Sequence, residues 1–230
     1  MPARKPPTPQ SDAPRNASRQ EQPLVQRAIN RALVKRSAAA TEDVERIIEA
    51  TYRVLSRSGG MDPRMREILA EAGLSTQAFY RHFASKDELL LVVLEDGRIR
   101  LATYLGHRMA KVEPGIAQLR AWIEGMFAQA TDPTAAARTR PFILNVHRLM
   151  EQYPDEQQRS IAMLVDQVQT ALDAAHAAGQ LTDAPAKGDA LAIYHLTVSP
   201  MENHIALGTR PSKAEVRSVV DFVLRAIGAR

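Results

Sequence analysis

Seven side chains between Ser75 and Lys86 hold most of the recognisable binding chemistry of this 230-residue chain: Ser75, Thr76, Gln77, Tyr80, Arg81, His82 and Lys86. A Gln amide pairs with the edge of adenine, and an Arg fork pairs with guanine or with phosphate. Tyr and His side chains suit phosphate oxygens, and such contacts position a protein on a duplex. Enzyme chemistry has no comparable cluster. The chain lacks a Gly-rich phosphate loop, a Gly-x-Ser-x-Gly elbow and a His-Glu-x-x-His pair. Its six His, without Cys and without i,i+4 pairs, argue against a metal site, and no cofactor is expected.

These residues need a rigid frame, and the run from Ile68 to Leu90 supplies one. It reads as helix, tight turn, short helix and the capped start of a third helix. Gly73 can take the positive φ that a sharp turn demands. Ser75 can cap the short helix. Ser85 and Glu88, three apart before Leu89 and Leu90, form a capping box. Phe79 and Phe83, four apart, would hold the short helix down. This is the layout of a helix-turn-helix, whose second helix enters the DNA major groove with base edges in reach of its N-terminal tip, here Thr76 and Gln77.

The wording of this run resembles the DNA-binding domain of the tetracycline-repressor (TetR) family of bacterial regulators: Ala-Gly-Leu-Ser at 72–75, Phe-Tyr-Arg-His-Phe at 79–83 and Ser-Lys-Asp-Glu-Leu at 85–89. The close resemblance covers about residues 44–94. It implies DNA contacts from Ser75, Thr76, Gln77, Ala78, Tyr80, Arg81 and His82, with Lys86 as a phosphate anchor at the start of the next helix. Two places depart from the family pattern. Leu69 stands where the family usually has Ala, and Asp62-Pro63-Arg64 replaces the usual Thr at the start of the second helix. Arg64 or Arg66 is then the substitute for that Thr's phosphate contact.

The remaining pattern is helical throughout. Thr41 is read as the cap of a helix carrying Val44, Ile47, Ile48, Thr51, Val54 and Leu55, after a joint at Ser37–Ala40. Asp62-Pro63 reads as the cap and first residue of the next helix. A long helix runs from Ser85 to about Met109, with Gly97 and Gly106 as weak points. Later helices are expected from Pro114-Gly115, from Asp132-Pro133, over 139–152, over 154–178, over 187–207 with a break or kink at Pro200, and over 211–227. The expected fold is all-α: a three-helix DNA-binding domain over 41–88, a ligand-binding and dimerisation domain over 89–230, and a basic, largely disordered arm over 1–40 with room for a short amphipathic helix from Leu24.

By resemblance alone, the C-terminal part takes a small-molecule effector. Leu105, Trp122, Met126, Phe142, Val146, Met150, Tyr194 and His195 are the candidate lining residues, and any single one of them reads more readily as ordinary helical core. Two Met and three aromatics with few charges suit a lipophilic or amphipathic ligand. His147 and His195 could orient a polar group. The last two helices are expected to form a homodimer, with Val216, Val220 and Val223 in or near the interface. A helical protein-interaction adaptor is the alternative reading, separated from a regulator by DNA titration.

Charge is unevenly placed. The net +4 arises in residues 1–40, which hold eight Lys/Arg against two Asp/Glu, whereas residues 41–90 hold seven against nine. DNA contacts must therefore come from local placement rather than bulk charge. The arm, with six of the fourteen Pro before residue 24, reads either as an extra phosphate or minor-groove contact or as a solvated tail. The absence of Cys fits a reducing cytoplasm, and no apolar run reaches the ~18–20 residues of a membrane span. The expected partners are thus double-stranded DNA with a palindromic operator, a small effector and a second copy of the chain, without a membrane.

Overall fold

The computed structural model describes residues 24–58, 63–144, 151 and 154–229, and their regular structure is α-helical apart from one isolated bridge between Leu181 and Ala229. The helices are α1 (Leu24–Ser58), α2 (Met65–Ala72), α3 (Thr76–Tyr80), α4 (Lys86–Met109), α5 (Ile116–Thr131), α6 (Pro133–Ile143), α7 (Pro154–Ala177), α8 (Asp189–Leu207) and α9 (Lys213–Ala226). From Val44 onward the chain forms one compact unit; the helical residues before it belong to a separate one. α1 runs through Ser37–Ala40, where a joint is expected from sequence. Three consecutive Ala favour helix there, and the Thr41 hydroxyl donates to the Ser37 carbonyl at 3.1 Å instead of capping a new helix.

The first core gathers residues from α1, α2, α3 and the start of α4. Ile47, Leu55, Ile68, Phe79, Leu89, Leu90 and Val93 are fully buried in it. Leu69, the residue larger than the family's usual Ala, is also buried there. Arg46 of α1 donates to the Ala72 carbonyl at 2.6 Å and to the Gly73 carbonyl at 3.3 Å, so it binds the C-terminal end of α2. Glu71 accepts from Arg53 at 2.7 Å and from Arg57 at 2.6 Å. These two guanidinium groups hold its carboxyl below the usual range. The pairs are open to solvent and serve alignment more than stability.

The second core joins α4, α5, α7, α8 and α9 around Leu105, Trp122, Ile123, Met126, Val168 and Leu172. α4 belongs to both: its first turns bury Leu89, Leu90 and Val93, its last turns Ala102, Leu105 and Met109. One polar link runs inside the second core. Trp122 Nε1 donates to Gln167 Oε1 at 3.2 Å, and Gln167 Nε2 donates to the Ala102 carbonyl at 2.7 Å. An indole N–H needs such a partner when buried.

Capping explains most of the boundaries. Asp132 accepts from the Ala135 amide at 2.8 Å, with Pro133 in the first turn of α6. Ser212 and Glu215 form a reciprocal box at α9, two residues later than the start expected at Pro211. α2 opens at Met65 with Arg64 as its N-cap, whose side chain makes no capping bond; Pro63 precedes the helix, and Asp62 lies outside the described residues. α6 ends at Ile143, and half of the helix expected over 139–152 lies outside the described residues. α8 passes through Pro200 without interruption, held by Val198, Met201 and Ile205 buried on either side of it.

The turn between α2 and α3 depends on one glycine. Gly73 adopts φ 65° and ψ 38°, and the next amide, Leu74 N–H, reaches back to the Leu69 carbonyl at 3.0 Å. A Cβ at Gly73 would also lie 3.1 Å from Arg46 Nη2. Gly73→Ala is expected to destabilise the unit by about 1–2 kcal/mol, the cost of a left-handed L residue. Differential scanning calorimetry would detect the lowered midpoint; an unchanged midpoint would mean that the turn is not under this constraint.

Candidate nucleic-acid interface and ligand cavity

α3 is only five residues long and owes its position to its neighbours. Ser75 caps it, accepting from the Ala78 amide at 3.1 Å. Phe79 and Phe83 stack with ring centroids 5.3 Å apart and planes 21° apart, and both are buried. Beyond it, at the start of α4, Ser85 accepts from the Glu88 amide at 3.0 Å, while the Glu88 carboxylate reaches the Ala84 amide. The expected box thus closes one residue earlier than its usual form, on Ala84 instead of Ser85.

The inward pull of the Phe pair turns the polar side chains outward. Ser75, Thr76, Gln77, Tyr80 and Arg81 are exposed, Tyr80 to 63%. His82 and Lys86 are half-buried, and Arg64 and Arg66 are exposed on and before α2. Ala78 is the correction to the expected set. It is buried with Phe79, so its methyl group packs inward while its polar neighbours face out.

A cavity of about 510 Å³ lies beyond the first core, within the size range of small-molecule sites. α1, α4, α5, α6, α7 and α8 all contribute to its wall. Of the eight residues expected to line it, Met126, Phe142 and Tyr194 do so. Leu105 and Trp122 do not: both are fully buried in the second core, Trp122 held by Gln167. His195 is exposed on the other side of α8, with its ring edge-on to Tyr194. Val146, Met150 and His147 lie outside the described residues.

The wall is less purely apolar than the sequence suggests. Val93, Leu94, Leu101, Leu164, Val198 and Met201 line it, but so do Arg98, Arg100, Arg138, Asp132 and Glu202. Burial pushes the Arg98 pKa down, while nearby Tyr194 and Glu202 pull it up. Burial likewise raises the Tyr194 phenol. A polar or charged group on a ligand would therefore meet a partner here. Tyr52 of α1 also lines the cavity and escapes sequence reasoning, because it falls beside the apolar stripe of its helix. The one hint is Gly97 in α4: a Cβ there would lie 3.0 Å from the Tyr52 hydroxyl.

The outer faces of the last two helices also differ from expectation. Val220 and Val223 are fully buried within this chain, against the second core, and Val216 is partly buried there. Val220 and Val223 thus pack within the chain and do not themselves face a partner, whereas Val216 keeps part of its surface open. The exposed apolar residues are instead Leu191, Leu196 and Leu207 on α8 and Phe222 on α9. Among the described residues no helix is long and apolar enough to cross a membrane.

Comparison with known proteins agrees with this geometry. Residues 47–93 match the family of bacterial regulatory proteins, tetR family. An uncharacterized HTH-type transcriptional regulator, YerO, of Bacillus subtilis (strain 168) is 38% identical over 72 residues, which are 31% of this chain and 22% of that protein. The chain thus matches less than a quarter of that relative's length. Over the whole fold, a candidate tetR-family transcriptional regulator of Mesorhizobium loti MAFF303099 superposes with a TM-score of 0.65 at 19% identity, covering 83% of this chain and 98% of that one. The transcriptional regulator FadR of Bacillus subtilis, solved in complex with stearoyl-CoA, superposes with a TM-score of 0.59 at 13% identity, covering 80% and 97%. The structural likenesses show the helical fold, and the segment that carries the helix-turn-helix, residues 47–93, is the part that matches the tetR family of bacterial regulatory proteins.

Proposed function

We propose that this chain is a sequence-specific DNA-binding regulator of transcription, a repressor that binds a palindromic duplex as a homodimer in the cytoplasm. The observation that carries the reading is α3, held by Phe79 and Phe83 with Gln77, Tyr80 and Arg81 facing out, inside a domain that matches the tetR family. Thr76 and Gln77 would read base edges at the helix tip. Arg81 would read guanine or grip phosphate, and Tyr80, His82 and Lys86 would hold the backbone, with Arg64 or Arg66 adding a contact from the α2 side.

The cavity is the site for a releasing ligand. Its volume and its apolar wall suit a lipophilic or amphipathic molecule, and Arg98 beside Tyr194 and Glu202 provides for a polar end. FadR, which shares the fold, is a regulator solved with stearoyl-CoA, a molecule with an apolar chain and a polar head. A ligand shifts the equilibrium only by binding one arrangement better than the other.

Selection of bound duplexes from a random pool tests the reading. Enrichment of a two-fold sequence is expected, and no enrichment at moderate salt would overturn it. On the selected duplex, Lys86→Ala should weaken binding to all sequences alike and reduce the salt slope by about one. Gln77→Ala should relax preference at one or two positions, at about 1–3 kcal/mol per lost bidentate contact. Equal losses on selected and random duplexes for Gln77→Ala would exclude base reading by that side chain. Deleting residues 1–36 should flatten the salt slope further if the arm touches phosphate; an unchanged slope makes it a solvated tail.

The dimer is expected to form through the exposed apolar face of α8 and α9. Leu196→Glu together with Phe222→Glu should give monomers by sedimentation, with an unchanged helical spectrum and operator affinity lowered at least about tenfold, because one helix-turn-helix reads only half a site. A double variant that stays dimeric would place the interface elsewhere.

A further inference from the structure

Tyr52 belongs to two sites at once. Its ring lies in the core of the DNA-binding domain, edge-on to Phe142 of α6 with centroids 6.2 Å apart, and it also lines the cavity. The guanidinium carbons of Arg100 and Arg138, both cavity residues, stand 5.9 and 5.8 Å from its centroid. Its hydroxyl donates to the Val93 carbonyl of α4 at 2.7 Å and lies 3.3 Å from Asp96 Oδ2. Asp96 accepts from Arg100 at 2.7 Å, and Arg100 crosses to Glu49 of α1 at 2.7 Å. The hydroxyl fits because residue 97 is Gly: any Cβ there would crowd it at 3.0 Å. Burial and the neighbouring Asp96 raise its pKa, so it stays protonated and keeps donating.

We propose that Tyr52 is the residue that passes occupancy of the cavity to the DNA-binding helices, an inference that rests on the regulator reading above. Arg138 and Phe142 of α6 meet a ligand on one side and the Tyr52 ring on the other. A ligand that displaces either of them removes the lateral support of the ring. The ring can then move only by drawing its hydroxyl out of the notch at Gly97 and off the Val93 carbonyl. That removes one of the two polar ties between α1 and the middle of α4, leaving Arg100–Glu49 as the other, and lets α1 shift against α4. α3 follows α1, because Arg46 ties α1 to the turn before α3 and both helices share one core. Packed elements of this kind switch between discrete arrangements and do not bend continuously.

The chain contains no Cys, so a defined occupant can be installed. Thr139 lines the cavity and is half-buried. Thr139→Cys alkylated with N-benzylmaleimide fills the site without knowledge of the natural ligand, and mass spectrometry reports the labelling. Affinity for the selected duplex is then compared before and after labelling. In the chain with Tyr52, labelling is expected to weaken binding about tenfold or more, within the usual range of coupling between sites. In Tyr52→Phe, which keeps the ring and loses the hydroxyl, the loss should shrink to less than about threefold at equal labelling. Gly97→Ala, which crowds the same hydroxyl from the α4 side, should blunt the response in the same way and guards against a Tyr52→Phe chain that fails to fold. The thermal midpoint lost in Gly97→Ala should return in the Tyr52→Phe/Gly97→Ala double variant, where the added methyl has room. Equal losses in all backgrounds, or no loss on labelling the Tyr52 chain, would overturn the role of Tyr52. If the unlabelled chain prefers no duplex, the regulator reading fails, and the role of Tyr52 falls with it.

Discussion

A helix of five residues cannot hold itself. Closing the first helical turn costs more than its few hydrogen bonds return, so α3 exists only because tertiary contacts define it. The stacked pair of Phe79 and Phe83 is the central one. It fixes which way α3 is rolled, and so which side chains face out. The other elements of the first core act on this pair: α1 and α2 close over it, Gly73 makes the turn tight enough to reach it, and Ser75 supplies the cap. Rigid presentation matters because base edges are read by hydrogen bonds with narrow distance and angle limits.

The local part of this arrangement is written in short-range chemistry, which is why Gly73, Ser75, Ser85 and the Phe pair are legible in the sequence. Each acts within a few residues of itself. What escapes is set at long range. Tyr52 meets Val93 and Phe142, far along the chain, and nothing near Tyr52 announces either partner. Arg98 lines the cavity because α8 brings Tyr194 and Glu202 near it, and nothing within its own helix announces those partners. The same limit explains the valines of α9. Periodicity identifies the apolar face holding Val220 and Val223, but whether that face meets its own chain or a second copy depends on how the preceding helices pack. The continuity of α1 through Ser37–Ala40 has the opposite origin: three alanines favour helix, and the Thr41 hydroxyl, which resembles a cap signal, bonds within the helix instead.

α4 links the two cores. Its N-terminal turns seal the first core and its C-terminal turns seal the second, so its tilt is constrained from both ends. Tyr52, Arg100 and Glu49 fasten α1 to its middle, beside the cavity. Gly97 lowers the intrinsic helicity of α4 at that point, yet it is what lets the Tyr52 hydroxyl approach. A position that looks like a weakness in a helix thus serves a close contact between helices.

A hydroxyl-radical footprint on the selected duplex would show directly whether two copies of α3 read the DNA. Two copies of a rigid α3 should protect two patches on one face of the DNA, centred one helical turn apart, roughly 34–36 Å, or a multiple of that. The spacing should hold across duplexes of different central sequence. A single unbroken protected stretch, or the same protection on random DNA, would contradict a two-fold protein reading sequence through α3.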